Sequence, residues 1–220
     1  MTAAVLLAHG SPDPRAQAAV RVAAAQLAVR VGHVVTAAFL DHDERDLARA
    51  VTGIDADADD LVVLPLLLST AYHARVDVPA AVAALDREVT LLDPVGHPAL
   101  VLDGLLGRCE RPAVVVAAGT RVDDERRAFA AAVAAAAART RVPAVAAFAT
   151  GPGRRVPDAA RPGSADVVPW LLSPGRLLDS VERAAREHGC RTVGTWLLRE
   201  ESLLGLLAAR LTAGAGVAVS

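Results

Sequence analysis

The chain carries an internal repeat, and this constrains its fold more than any single segment does. The stretch VLLAHGSPDPRA from Val5 aligns with VVVAAGTRVDDE from Val114, so that Gly10 meets Gly119 at a spacing of 109 positions, and Phe39 meets Phe148 at the same spacing. Farther along, VVLPLLLSTAYH from Val62 and VVPWLLSPGRLL from Val167 bring Pro65 onto Pro169 and Ser69 onto Ser173, now 104 positions apart. Two glycine turns, a proline and a serine in consistent register are hard to obtain from a shared Ala/Leu-rich composition alone, and self-similarity at a fixed period marks a duplicated structural unit. The lost residues fall in the Pro/Gly-rich stretch 151–163, where the first half has its second helix, so a loop is expected to replace that helix in the second half. A boundary near residues 108–112 follows, giving units 1–108 and 109–220.

Within each unit, short β-branched runs alternate with longer Ala/Leu/Arg segments of helical period, the βαβα pattern of an α/β protein. Strands are expected at 3–8, 34–39, 61–66, 89–92, 113–117, 144–148, 166–171 and 192–194. Several are apolar on both faces, as parallel strands covered by helices on two sides are. Helices are expected at 15–30, 44–54, 76–85, 98–106, 124–139, 177–188 and 199–210. The expected fold class is therefore α/β, a tandem of two parallel-sheet units with a cleft between them, the loops at the carboxyl ends of the strands facing it.

Composition narrows the function. Apolar residues make up 53% of the chain and aromatic residues only 3%, so the core is built from Ala, Val and Leu. There is no lysine, and 23 arginines against 25 acidic residues leave a formal charge of -2, which does not suit a nucleic-acid surface. Cys109 and Cys190 make neither a disulfide framework nor a zinc site, which points to a reducing compartment. The N-terminal segment has no basic n-region and no stretch reaches the length of a membrane span, so the expectation is a cytoplasmic protein. No GxxxxGK[ST], GxGxxG or GxSxG motif is present.

The chemistry is legible where the halves differ. His9 follows the first strand, and its partner is Ala118; His73 follows the third, and its partner is Leu177; Asp41 follows the second, and its partner is Thr150. Two imidazoles and a carboxylate at adjacent strand ends would suit a borderline divalent ion such as cobalt, iron, nickel or zinc, and the same imidazoles accept protons near neutral pH. Each also has a plainer reading: His9 capping the glycine turn, His73 on the surface beside a helix start, Asp41 capping the next helix. His97, after the fourth strand, either lines the cleft or sits in a tight turn; its counterpart in the second half is taken as Thr195. Ser11 and Ser69 can present hydroxyls or helix N-terminal amides to acidic groups of a ligand, and Arg15, Arg75 and Arg176 can meet carboxylates.

AHGSPDPRA around His9, AFLD ending at Asp41, and VVLPLLLSTAYHARVDVP carrying His73 together resemble the sirohydrochlorin chelatase and cobaltochelatase family. His9, Gly10, Ser11, Asp13, Pro14 and Arg15 keep the first motif of that family, and Ser69, His73, Asp77 and Pro79 keep the second. The resemblance extends to the long, two-unit form, related to the ferrochelatase fold, whose second unit often loses the metal ligands. It implies that His9 and His73 bind a divalent metal (cobalt, iron or nickel) and assist pyrrole deprotonation as it enters sirohydrochlorin or a related tetrapyrrole, in sirohaem or cobalamin biosynthesis. Asp41 stands where the family commonly has glutamate, one methylene longer, and Tyr72 would contact the macrocycle beside Ser11, Arg15, Ser69 and His97. The metal is then a substrate, and no organic cofactor or ATP is implied; with both halves in one chain a monomer is possible, and a homodimer stays open. Two other functions fit the same residues: a non-catalytic metal or tetrapyrrole carrier, and an α/β enzyme using the two histidines as acid and base without metal.

Overall fold

The computed structural model describes residues 2–54, 60–69 and 76–215. The expected strands all form, in two parallel sheets. The first contains β1 (Thr2–Ala8), β2 (Val34–Phe39), β3 (Asp60–Leu66) and β4 (Thr90–Leu91) in the order β2-β1-β3-β4. The second contains β5 (Ala113–Ala117), β6 (Ala144–Phe148), β7 (Asp166–Trp170) and β8 (Arg191–Thr192) in the order β6-β5-β7-β8. The sheets match residue by residue: Leu7 pairs with Pro65 in the first as Val116 pairs with Pro169 in the second.

The helices between the strands are α1 (Pro14–Val31), α2 (Leu47–Thr52), α3 (Val78–Ala83), α4 (Ala99–Leu106), α5 (Asp123–Thr140), α6 (Val156–Ala159), α7 (Arg176–Glu187) and α8 (Glu201–Ala215). Local chemistry sets their ends. Asp13 accepts a hydrogen bond from the Arg15 backbone N–H, Pro14 pre-sets the first turn, and left-handed Gly32 closes α1 by donating to Ala28 O. Arg141 takes the matching left-handed position after α5. Ala16, Val20, Ala23, Ala24 and Leu27 form the buried stripe of α1, and their small side chains allow close approach to the sheet.

The loop expected in place of the second half's second helix is instead a single helical turn, α6. The Phe39 N–H bonds Arg45 O and the Phe148 N–H bonds Arg154 O, so the spacing of 109 persists to Arg154. It has become 104 by Asp166, which pairs with Ala113 as Val62 pairs with Ala4. The deletion therefore lies between Arg154 and Asp166, shortening the helix and its exit rather than abolishing it.

The chain forms two compact units, Met1–Gly96 with Leu203–Ser220, and His97–Ser202. This division differs from the one expected near residue 108, because the last helix of each repeat groups with elements of the other repeat. In the first unit, Arg210 of α8 donates to Pro94 O at 3.2 Å, and Gly214 lies so close to Leu92 and Val62 that an added methyl would sit 2.9 Å from Leu92. In the second unit, Asp103 of α4 accepts two bonds from the Arg139 guanidinium of α5, both 2.8 Å. The core of the first unit includes Val5, Leu7, Ala38, Leu47, Leu61, Val63 and Val78. That of the second includes Val114, Val116, Ala147, Val167, Leu178 and Val181, with Phe129 and Trp170 also fully buried. No helix among the described residues is long and apolar enough to cross a membrane.

Candidate functional site

The first sheet ends in a glycine turn that both halves share. Gly10 has φ +96, and a methyl group on it would lie 1.8 Å from the carbonyl oxygen of Asp41; Gly119 has φ +113, with Thr150 O 2.1 Å from the same added atom. Only glycine allows this approach. The approach is held by backbone bonds, Leu40 N–H to Ala8 O and Asp41 N–H to His9 O in one half, Ala149 N–H to Ala117 O and Thr150 N–H to Ala118 O in the other. Ser11 Oγ accepts from the Asp13 N–H at 3.1 Å, and Thr120 Oγ1 accepts from the Val122 N–H at 3.1 Å. The same backbone is thus built with His9 and Asp41 in the first unit and with Ala118 and Thr150 in the second, and the turn requires no imidazole.

His9 is half-buried at the end of β1 and its Nδ1 is enclosed. Asp41 is adjacent through the backbone, but its side chain is 61% exposed and turned to its own neighbour: Oδ1 accepts from the His42 N–H at 2.7 Å and Oδ2 lies 3.3 Å from His42 Nε2. Arg15 faces Asp13, with Nε to Oδ1 at 3.0 Å and Nη2 to Oδ2 at 2.7 Å, so this guanidinium braces the start of α1. Ser69 follows β3 and is half-buried. Tyr72, His73 and Arg75 lie outside the described residues. Among the described residues, no group of three or more His, Cys, Asp or Glu side chains is placed to hold a metal.

His97 belongs to the second unit. Its Nδ1 accepts from Nε1 of the fully buried Trp170 at 3.1 Å, and its ring packs 5.1 Å from that of Phe129. Indole only donates, so the neutral ring carries its proton on Nε2. Burial holds this imidazole below its ordinary pKa, against the opposing field of Glu125. Its counterpart is Leu198 rather than Thr195, since Gly96 N–H bonds Leu67 O as Leu197 N–H bonds Leu171 O.

Gln17 is a supporting residue that the sequence motifs pass over. Only 6% exposed, it donates from Nε2 to Ser11 O and, at 3.0 Å, to His42 O, tying the loop after β1 to the loop after β2. Arg126 stands at the matching position and donates to Thr120 O at 2.8 Å. The signal was available as two long polar residues at the repeat spacing on otherwise alanine-rich helix faces.

Two tandem parallel units, each with the same turn chemistry, define a duplicated α/β protein of the ferrochelatase-like chelatase fold. Residues 3–111 match the CbiX family model, and through this first repeat the chain belongs to the CbiX-like sirohydrochlorin chelatase and cobaltochelatase family. Among solved structures it is similar to the sirohydrochlorin chelatase SirB of Bacillus subtilis subspecies spizizenii in complex with cobalt, at 19% identity and a TM-score of 0.76, covering 98% of this chain and 95% of that one. It is also similar to a CbiX described as the terminal enzyme of sirohaem biosynthesis in denitrifying bacteria, at 22% identity and a TM-score of 0.61, covering 100% of both chains. At these identities the likeness is one of fold. No curated protein sequence matches the chain significantly.

Proposed function

We propose that the protein inserts a divalent metal, cobalt or ferrous iron and also nickel, into sirohydrochlorin without ATP. One observation carries the proposal: an identical glycine turn supports His9 beside Asp41 in the first unit and Ala118 beside Thr150 in the second. A histidine kept where alanine makes the same turn has a role other than the turn. Family membership and the described activities of the two similar structures support the same conclusion.

In this mechanism His9, with Nδ1 enclosed, offers Nε2 to the metal, and His73 supplies the second imidazole. Neutral imidazoles suit borderline divalent ions while leaving them exchangeable. The ion trades its histidine and water ligands for the four pyrrole nitrogens, and two protons leave the macrocycle. Each histidine freed of metal can accept one of them. Asp41 is an outer carboxylate that draws the cation toward His9, its shorter side chain being occupied with His42. Ser11, Ser69 and Tyr72 contact the macrocycle. The metal is a substrate, and no organic cofactor takes part. Cys109 and Cys190 are free thiols, which fits a cytoplasmic setting.

An absorbance time course of metal-free sirohydrochlorin with cobalt, ferrous iron or nickel tests the proposal. Enzyme-dependent conversion with at least one ion is expected. Tight binding of tetrapyrrole or metal with no conversion would make the protein a carrier instead.

A further inference from the structure

The loops at the carboxyl edge of the second sheet differ in charge from their counterparts in the first, although the backbone register is the same. Residues 41–46 contain four carboxylates and one arginine; the aligned residues 150–155 contain no carboxylate and two arginines. The alignment is fixed by the paired bonds from Phe39 to Arg45 and from Phe148 to Arg154. Arg155 even replaces Asp46 as the residue before a helix, a place where an acidic or hydroxyl side chain is favoured and a cation is not.

Two of the arginines on this edge shape the loops. Arg155 donates to Phe148 O at 2.9 Å and Gly151 O at 2.7 Å, and Arg126 donates to Thr120 O. Three others, Arg121 after β5, Arg154 after β6 and Arg176 after β7, are exposed and, among the described residues, make no ion pair. Ala117 pairs with both Phe148 and Trp170, so these strands end level with one another, each about 5 Å from its neighbour in the order β6-β5-β7, and their loops leave along one edge. Thr150 closes the first two loops together through its N–H and Oγ1, both bonded to Ala118 O at 2.8 Å. Of the carboxylates on this side, Asp123 pairs with Arg126, Asp124 with Arg127, and Asp158 accepts from the Arg155 N–H, while Glu125 and Asp179 lie in the first turns of α5 and α7.

We infer that this edge is a carboxylate-binding surface, on which Arg121, Arg154 and Arg176 hold the acidic side chains of the tetrapyrrole. The inference rests on the chelatase function proposed above and deepens it by naming the groups that hold the anionic substrate. Guanidinium suits this task, because its planar fork matches a carboxylate and stays charged at every working pH.

The test is titration of the full-length protein with metal-free sirohydrochlorin, followed by absorbance, at low and high salt. R121Q, R154Q and R176Q should each raise Kd about threefold and the triple variant about thirtyfold, with a flatter salt dependence. R186Q, at the far end of α7, should leave Kd unchanged. A methyl ester of the macrocycle should bind wild type and triple variant equally. A triple variant with wild-type Kd and salt dependence, and an unaltered melting curve, would overturn the inference. Metal insertion by the wild type is scored separately: a protein that binds the acid with this arginine dependence but never metallates it refutes the chelatase function and retains the binding edge.

Discussion

Alanine at Gly10 and alanine at Gly119 form a matched pair of perturbations that separates structure from chemistry. Each methyl group would fall about 2 Å from a backbone carbonyl oxygen, 1.8 Å for Gly10 and 2.1 Å for Gly119, so the strand-end turn must open. An alanine forced to positive φ costs about 1 kcal/mol, and two backbone hydrogen bonds loosened at about 1 kcal/mol each bring the loss to about 3 kcal/mol. For a chain of this size that lowers Tm by about 10 °C. Both variants should show this drop in calorimetry, since both turns are built alike. Turnover with sirohydrochlorin and cobalt, measured well below the new Tm, should divide them. At saturating tetrapyrrole, G10A displaces His9 and should lose most activity, whereas G119A displaces Ala118 and the loop carrying Arg121, so it should weaken substrate binding and keep most of its turnover. A G10A protein that melts within about 2 °C of wild type would refute the steric argument. Equal activity in the two folded variants would refute the asymmetry between the units.

Three further outcomes follow from the second unit. His97 binds its proton less readily when folded than when unfolded, so its contribution to stability is complete above the ordinary imidazole pKa and is lost as pH falls below it. The urea midpoint should drop between pH 7.5 and 5.5, and H97Q, whose amide oxygen can accept from Trp170, should flatten the drop. Asp166 is fully buried; burial alone would raise its pKa, but the Arg191 guanidinium and the N–H groups of Glu110 and Arg111 outweigh it and hold the carboxyl below the usual range. D166N should cost about 3 kcal/mol in urea unfolding, and the wild-type stabilisation should disappear only in acid. Burial, reinforced by the Asp166 charge, pushes the Cys109 thiol up to about 11, so it should react far more slowly with a disulfide reagent at pH 8 than a free thiol does.

Much of this architecture was legible in the sequence because glycine and proline mark geometry directly. Gly10 and Gly119 sit where no other residue fits, and Pro65 and Pro169 occupy the same register on equivalent strands, so the repeat could be seen through an Ala/Leu-rich background. The exchange of α4 and α8 between the repeats could not. Both helices are apolar enough to pack in either unit, and only contacts such as Asp103 with Arg139 and Gly214 with Leu92 decide which unit each one joins. The one-turn helix α6 was hidden because Gly151, Pro152 and Gly153 read as loop, although they only precede it. At the candidate site, His9 and Asp41 stand out in the sequence by their failure to repeat. Gln17 is marked in the sequence only by its alignment with Arg126 at the repeat spacing, since bonding two carbonyls of neighbouring loops leaves no motif of its own. His97 shows the converse limit: a histidine after a strand end carries the same sequence signal whether it meets a ligand or, as here, accepts a bond from a buried tryptophan.

The most direct test of metal insertion at the first unit is the initial rate of H9A against wild type with sirohydrochlorin and a single chosen ion, both proteins having the same melting curve. Removal of a group that both carries the metal and accepts a proton should lower the rate on the order of a hundredfold or more. A folded H9A protein that metallates sirohydrochlorin at the wild-type rate would contradict the account.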